Sequence, residues 1–119
     1  HSFFNFDDPL VGGYSPDKVA LRRAIVLAFD SAEEVRLVLR GQAAPAQGMI
    51  SPHCYGHDPA LKSEMGTPSV VRAKALLDMH GYTDRNGDGW REQPDGRHAG
   101  RCHGGVCRRL LHIGIGRSV

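Results

Sequence analysis

Apolar residues recur at helical spacing in three stretches of this chain. The first stretch begins at Ser15, whose hydroxyl suits a helix N-cap, and Pro16 suits the first helical position. Asp17 follows in the first turn, where a negative charge is favourable. The predicted apolar face comprises Val19, Leu21, Ala24, Ile25, Ala28 and Phe29. Because Arg22 and Arg23 fall on the other side, the pattern predicts an amphipathic helix with its arginines turned to solvent.

Two further helices are predicted after a break at residue 30. Ser31 and Glu34 have the spacing of a capping box, and Gly41 is the expected stop. The apolar residues between them are Val35, Leu37, Val38 and Leu39. The third helix is expected to begin at Thr67, which precedes a proline, and to end at Gly81. Its predicted buried stripe comprises Val70, Ala73, Leu76, Leu77 and His80.

The remaining segments predict a short strand and a long loop. Residues 1–9 alternate in part, with Phe4 and Phe6 on one face, and end at an Asp-Asp-Pro turn. Residues 41–66 contain three prolines and no periodicity. So long an irregular segment is uncommon in a small domain, so we expect it to lie on something absent from this chain or to be partly disordered. Together these elements predict an α/β or α+β fold, largely helical with short strands.

Length and composition add bounds to this picture. The 119 residues suffice for one domain at most, with 40% hydrophobic and 24% charged residues, which is typical of a globular protein. No apolar run approaches the roughly 20 residues of a membrane span. The chain begins at His1 without an initiator Met or a charged-then-apolar leader, so we expect a processed or excised piece.

Charge divides the chain into two regions. Residues 1–96 carry 10 Lys and Arg against 13 Asp and Glu, a net charge of −3. Residues 97–119 carry five Arg and no acidic residue, together with five Gly, three His and two Cys. We therefore predict one structured unit over 1–96 and a distinct tail over 97–119.

The acidic run after the third helix has the spacing of a calcium loop. The candidate ligands, at loop positions 1, 3, 5, 7 and 9, are Asp84, Asn86, Asp88, the Trp90 carbonyl and Glu92. Gly89 at position 6 permits the sharp bend that such a loop needs. Two positions depart from the pattern, because Asp95 stands where a bidentate Glu is expected and Arg91 where an apolar residue is usual. The alternative is a polar turn in which Asp and Asn side chains bind their own backbone.

The tail offers a second candidate metal site. Its possible zinc ligands are His98, Cys102, Cys107 and His112, with His103 and Cys54 in reserve. Zinc accepts imidazole and thiolate, but the spacing lacks the two short pairs of a common zinc finger. His53, Cys54 and His57 also cluster in the long loop, where exposed residues are the simpler interpretation.

Two other classes of function find little support. The tail arginines Arg101, Arg108, Arg109 and Arg117 could contact phosphates, but no aromatic residue lies among them to stack on bases. A solvated basic tail is the favoured interpretation, so no nucleic-acid partner is expected. The scattered histidines form no pattern typical of a nucleophilic or acid–base site, so we expect no enzymatic activity.

Four blocks of the sequence resemble one family of transport proteins. They are FNFDDPLVGGYSPDKVALRRAIVLAFD, VLRGQAAPAQGMISP, YGHDPAL and RAKALLDMHGYTDRNGDGWREQPDG. In this order and spacing, over residues 3–96, they resemble the extracellular solute-binding proteins of family 5, the periplasmic receptors of peptide, dipeptide and nickel ABC importers. The resemblance implies a bilobal α/β receptor that closes on a peptide-like solute and delivers it to a membrane permease, its only link to the membrane.

This chain would then be part of the C-terminal lobe of such a receptor. The resemblance assigns no ligand-binding residue to a numbered position, because the family's ligand contacts come largely from segments before and after this piece. It implies no cofactor, and the family's Asp-Gly turn is not generally required for activity. After Gly96 the family continues with an apolar strand, whereas here the basic tail follows, which predicts a shifted reading frame, an artificial junction or a divergent tail. The alternative function is a small metal- or nucleic-acid-binding protein that uses its His/Cys/Arg-rich tail.

Overall fold

Three α-helices form the regular structure of the described chain. The computed structural model describes residues 3–87 and 89–97. Helix α1 spans Pro16–Ala28, α2 spans Ser31–Leu37 and α3 spans Val70–Met79, with a 3₁₀ turn at Glu64–Gly66 before α3. None of the helices in this part of the chain has the length and apolar character needed to cross a bilayer.

The core lies between α1 and α3. Its buried residues are Leu21, Ala24 and Leu27 from α1, Ala73 and Leu77 from α3, and Tyr82 just beyond α3. Ala24 and Ala73 are small, so the two helices can approach closely while the leucines fill the space on either side. Leu10, Val11, Ile25, Ala28, Met65 and Leu76 cover the edges of this cluster. The core is therefore small and formed mainly by one helix pair.

The ends of the two helices are tied together by the backbone. The N–H of Ser69, at the start of α3, donates to the carbonyl oxygen of Leu27, near the end of α1, at 2.7 Å. At the other end, the Nζ of Lys18 in α1 donates to the side-chain oxygen of Gln93, beyond α3, at 3.3 Å. The end of α1 therefore lies beside the start of α3, joined by a backbone hydrogen bond, and the start of α1 is held by a side-chain contact.

Each predicted helix is confirmed, but two of the predicted caps are wrong. Ser15 occupies the N-cap position of α1, as the sequence predicts, but its hydroxyl makes no capping hydrogen bond. The carboxylate of Asp30, rather than Ser31, accepts the Glu33 N–H of α2 at 3.0 Å, because an aspartate one residue earlier already satisfies that donor. The hydroxyl of Ser69, rather than Thr67, accepts the Arg72 N–H of α3 at 3.3 Å.

The helix ends follow the glycines. Helix α2 ends at Leu37, yet Gly41 has a positive φ of 76° and its N–H donates to the Val35 carbonyl, as a helix stop requires. Gly81 has a φ of 81° directly after α3. The predicted stop at Gly81 is confirmed, because glycine adopts this backbone conformation without steric cost. Helix α2 ends earlier than predicted, at Leu37, and Arg40 with a φ of 50° shares the left-handed conformation with Gly41.

The predicted buried faces are correct only in part. On α3, Ala73 and Leu77 are buried, but Val70 lies at the exposed start of the helix. On α1, Phe29 is exposed, and the buried set includes Ala20 and Leu27, which the predicted face omits. The buried face of α1 therefore differs from the predicted one, because only the side of α1 that packs against α3 is covered.

The predicted strand at the start of the chain is wrong for the described residues. Residues 3–97, apart from residue 88, contain no strand beyond a single bridge residue at Glu92. Instead, the Asp8 carboxylate accepts the backbone N–H groups of Leu10 and Val11 at 2.8 and 3.0 Å and closes a turn. The α/β prediction therefore holds only for its helical part, because a strand needs a neighbour to satisfy its backbone groups and this segment satisfies them locally.

Arg22 holds this first turn against α1. Its guanidinium donates to the carbonyls of Val11 and Gly13 at 2.6 and 2.8 Å and lies over the Phe6 ring at 4.7 Å from the ring centre. The prediction that Arg22 is turned to solvent is therefore wrong. A long basic side chain on the rim of a helix can satisfy loop carbonyls that no strand partner reaches.

The long segment between α2 and the 3₁₀ turn is irregular, as predicted. Large apolar side chains there are exposed, and Met49 and Tyr55 are fully so. Most hydrogen bonds of this segment join residues close in sequence, whereas the Gln47 amide reaches the backbone of Ser63 and Gly66. The described chain therefore leaves several large apolar side chains exposed along this loop.

Candidate functional site

The acidic turn that follows α3 begins at a buried aromatic residue. Gly81 reverses the chain, and the Tyr82 N–H donates to the Leu77 carbonyl at 3.0 Å. The Tyr82 side chain is 0% exposed and belongs to the core. The turn over residues 83–92 is therefore fixed to the end of α3 at its first residue.

Asp84 organises the turn through its own backbone neighbours. The Gly87 N–H donates to its Oδ1 at 2.7 Å, and the Gly89 N–H donates to its Oδ2 at 2.9 Å. Gly87 and Gly89 have positive φ values of 77° and 87°, which direct their N–H groups toward the aspartate and disfavour other residues. This arrangement is the polar turn that the sequence offers as the alternative to a calcium loop, although a carboxylate in such a turn can still bind an ion.

Glu92 closes the turn from its other end. Its N–H donates to the Thr83 carbonyl at 3.1 Å, and its Oε2 accepts the Arg85 N–H at 2.8 Å. Glu92 is only 5% exposed, and its Oε1 is buried without a hydrogen-bond partner among the described residues. A buried, unpaired carboxylate oxygen is costly, so it is the most distinctive polar atom of this turn.

Arg91 fixes the turn to α3. Its guanidinium pairs with the Asp78 carboxylate and donates to the Tyr82 carbonyl. Because Arg91 is buried while Asp78 is half exposed, the pair lies at the edge of the core. An arginine at loop position 8, which departs from the calcium-loop pattern, is therefore accounted for by packing against α3.

A second set of contacts joins the turn to α1. The Lys18 ammonium donates to the carbonyls of Pro9 and Leu10, both at 2.8 Å, as well as to Gln93. The Gln93 N–H donates to the Arg97 carbonyl at 2.7 Å and forms a second small turn. One lysine of α1 therefore contacts both the start of the chain and Gln93, the residue that follows the acidic turn.

The electrostatics of this region centre on Tyr82. Burial, with smaller contributions from the negative charges of Asp17 and Asp95 and from the closeness of the Asp17 carboxylate to the hydroxyl, raises the pKa of the Tyr82 phenol from 10.0 to about 12. Its hydroxyl has no hydrogen-bond partner in the described part of the chain. A hydrogen bond from Ser15 lowers the pKa of Asp17, so this carboxylate stays charged at neutral pH. The phenol is therefore held in its neutral form.

The structure brings together only some of the residues that the sequence singles out. Asp84, Asn86, Trp90 and Glu92 lie in one turn, whereas Asp88 lies outside the described residues. The zinc candidates His98, Cys102, Cys107 and His112, the reserve ligand His103, and the arginines Arg101, Arg108, Arg109 and Arg117 also lie outside them.

The loop cluster does not form a metal centre. Cys54 is exposed, and the Nδ1 of His57 lies 3.1 Å from the Ile50 carbonyl oxygen. Within residues 3–87 and 89–97, no three His, Cys, Asp or Glu side chains are grouped so as to hold a metal ion. For His53 and its neighbours, the interpretation as exposed loop residues is therefore favoured.

Sequence reasoning missed the roles of Lys18, Arg22 and Arg91. Each donates to backbone carbonyls or to a carboxylate distant in sequence, so no spacing rule marks it. The sequence contains one indication of these roles: Arg91 is charged at a position where the loop pattern expects an apolar residue.

Comparisons with known proteins agree with this architecture. The model of the bacterial extracellular solute-binding proteins, family 5 Middle, matches residues 2–100. The chain is also similar in structure to the oligopeptide-binding protein AppA from Bacillus subtilis, solved in complex with a nonapeptide, with 23% identity and a TM-score of 0.71. That match covers 94% of this chain and 24% of AppA, so the chain spans about a quarter of that structure. Comparison with curated protein sequences found no match. Since the family model covers more than half of its length, this chain belongs to the family 5 bacterial extracellular solute-binding proteins.

Proposed function

We propose that the chain supplies part of the C-terminal lobe of a receptor that captures a peptide-like solute in the periplasm and delivers it to an ABC permease. The observation that carries this proposal is the match of the family model over residues 2–100. AppA, which was solved with a nonapeptide, supports a peptide rather than another solute as the ligand class. The chain is expected to have a structural role in that lobe and no catalytic activity.

The surface of the described residues supports a place within a larger protein. Val71 and Met79 on α3 and Leu37 and Val38 at the end of α2 are exposed, as are Met49 and Tyr55 in the long loop. Large apolar side chains exposed on two helices and the long loop are expected when a neighbouring part of a larger protein covers them. In a complete receptor, the remaining three quarters of the fold would supply the cover.

A chimaera tests the proposal. The quarter of AppA that aligns with this chain is replaced by residues 3–96, and binding of the nonapeptide is measured by isothermal titration calorimetry. We expect a cooperatively folding chimaera whose Kd for the peptide lies within about tenfold of that of AppA, since most ligand contacts come from the retained segments. A chimaera that folds but shows no saturable heat would argue against the proposal.

Two controls make the result specific. The first is the same chimaera with Leu21→Asp, which places a charge in the α1–α3 core and should abolish folding and binding together. The second is the isolated 119-residue chain, which should not bind the peptide, because both lobes are needed to enclose a ligand. Tight one-to-one binding by the isolated chain would contradict its assignment as part of a lobe.

A further inference from the structure

The carboxylate of Glu92 lacks a partner at one of its two oxygens. Its Oε2 accepts the Arg85 N–H at 2.8 Å, which directs the carboxylate into the turn, while Oε1 is buried without a partner among the described residues. The neighbouring Arg91 guanidinium donates to Asp78 and to the Tyr82 carbonyl. A negative oxygen that is removed from water and left unpaired favours binding of a cation.

A second carboxylate lies in the same turn. Each oxygen of Asp84 accepts one backbone N–H, from Gly87 or Gly89, and a carboxylate oxygen has a further lone pair to offer. The N–H of Arg85, the residue after Asp84, donates to the Glu92 carboxylate, so Glu92 is held against the backbone beside Asp84. The turn thus holds two carboxylates on a backbone whose bend is fixed by hydrogen bonds.

We propose that the acidic turn binds a calcium ion, with Glu92 Oε1 and the Asp84 carboxylate as its side-chain ligands. Ligands that are all oxygen favour a hard cation, and Ca²⁺ accepts carbonyls and water in flexible geometry, whereas Mg²⁺ requires a near-ideal octahedron. Backbone carbonyls and water would complete the coordination. With only two carboxylates, the site belongs to the weak class, with a Kd on the order of 10⁻⁴–10⁻³ M. The proposal rests on the geometry of the turn alone and is independent of solute capture.

Terbium luminescence tests the proposal on the full chain. Trp90 is the chain's one tryptophan and lies in the turn, so energy transfer from it to Tb³⁺ reports binding at this position. We expect sensitised Tb³⁺ emission that saturates with added Tb³⁺ and that millimolar Ca²⁺ displaces, while equal Mg²⁺ displaces at least tenfold less. Absence of saturable emission from the parent chain, or equal displacement by Mg²⁺, would overturn the proposal.

Matched variants assign the ligands. Glu92→Gln keeps the shape of the side chain and removes its charge, and it should weaken Tb³⁺ binding at least tenfold. Glu34→Gln, an exposed glutamate on α2, should leave binding unchanged. A Glu92→Gln variant with the helical circular dichroism of the parent and unchanged Tb³⁺ binding would overturn the assignment.

If the Glu92→Gln variant does not fold, a second measurement on the parent chain replaces the comparison. In that case the melting temperature of the parent chain, measured in Ca²⁺, in Mg²⁺ and in chelator, decides the question. A rise in Ca²⁺ alone supports the site, and a melting temperature that Ca²⁺ leaves unmoved rejects it.

Discussion

Tyr82→Phe is expected to stabilise this chain, and the gain should grow at alkaline pH. Tyr82 is 0% exposed, and its hydroxyl has no partner among the described residues. Burying an unpaired hydroxyl costs about 1–3 kcal/mol, so its removal should raise the free energy of unfolding by about 1 kcal/mol at neutral pH. For a domain of this size, that gain corresponds to a rise of roughly 4–8 °C in melting temperature.

The alkaline part follows from the raised pKa of the phenol. Folding raises this pKa from 10.0 to about 12, so the folded state favours the neutral form. The stabilisation linked to it is fully present below pH 10 and is lost as the pH rises through the folded pKa. The parent should therefore lose about 1–1.5 kcal/mol relative to the phenylalanine variant by pH 11, and up to about 2–3 kcal/mol once the pH has passed the folded pKa.

Denaturant titrations of parent and variant between pH 8 and pH 11 provide the assay. Other groups titrate equally in both proteins, so the difference between them isolates Tyr82. Tyr55→Phe is the matched control, because Tyr55 is fully exposed and its replacement should change neither the stability nor its pH dependence. A Tyr82→Phe variant that is less stable than the parent at pH 8, or a difference independent of pH, would refute the reasoning.

Three further substitutions test the packing of the chain. Leu77→Ala should lower the free energy of unfolding, measured by urea denaturation, by about 2–5 kcal/mol. Val71→Ala on the exposed side of the same helix should lower it by under about 0.5 kcal/mol. Equal losses in the two variants would contradict the assigned core. Arg91→Gln should cost about 1–3 kcal/mol by the same assay, because it breaks a partly buried ion pair, while the exposed Arg36→Gln should cost almost nothing. Gly12→Ala should cost about 1–3 kcal/mol, since its Cβ would overlap two backbone carbonyl oxygens, and an unchanged melting temperature would show that the first turn is placed differently.

Helices were predictable here because their signals are local. The structure confirms that α1 begins at Pro16, after a serine, and that Gly81 follows the end of α3. Helix α2 ends at Leu37, before the predicted stop at Gly41. The caps of α2 and α3 were misplaced by one or two residues because several Ser, Thr and Asp residues compete at each start. Asp30 and Ser69 prevail since they are the residues whose side chains reach the exposed N–H groups.

The strand and the contacts between distant segments were not predictable in the same way. Alternation at Phe4 and Phe6 suits a strand only when a neighbour pairs with it, and the described chain offers none. The contacts of Lys18 and Arg22 with loop carbonyls depend on the meeting of segments in space. In the acidic turn, the spacing predicted the bend at Gly89, whereas the partnerless oxygen of Glu92 became evident only from its burial.

The most direct test of the account is the coding DNA on both sides of this chain and across residues 94–119, read in all three frames. If the chain is part of a family 5 receptor, an apolar strand and further family-like sequence should continue from Gly96, in a neighbouring frame or beyond the basic tail, and more of the receptor should precede His1. Stop codons in every frame on both sides would contradict the account, because residues 3–96 would then have to act without the rest of a receptor.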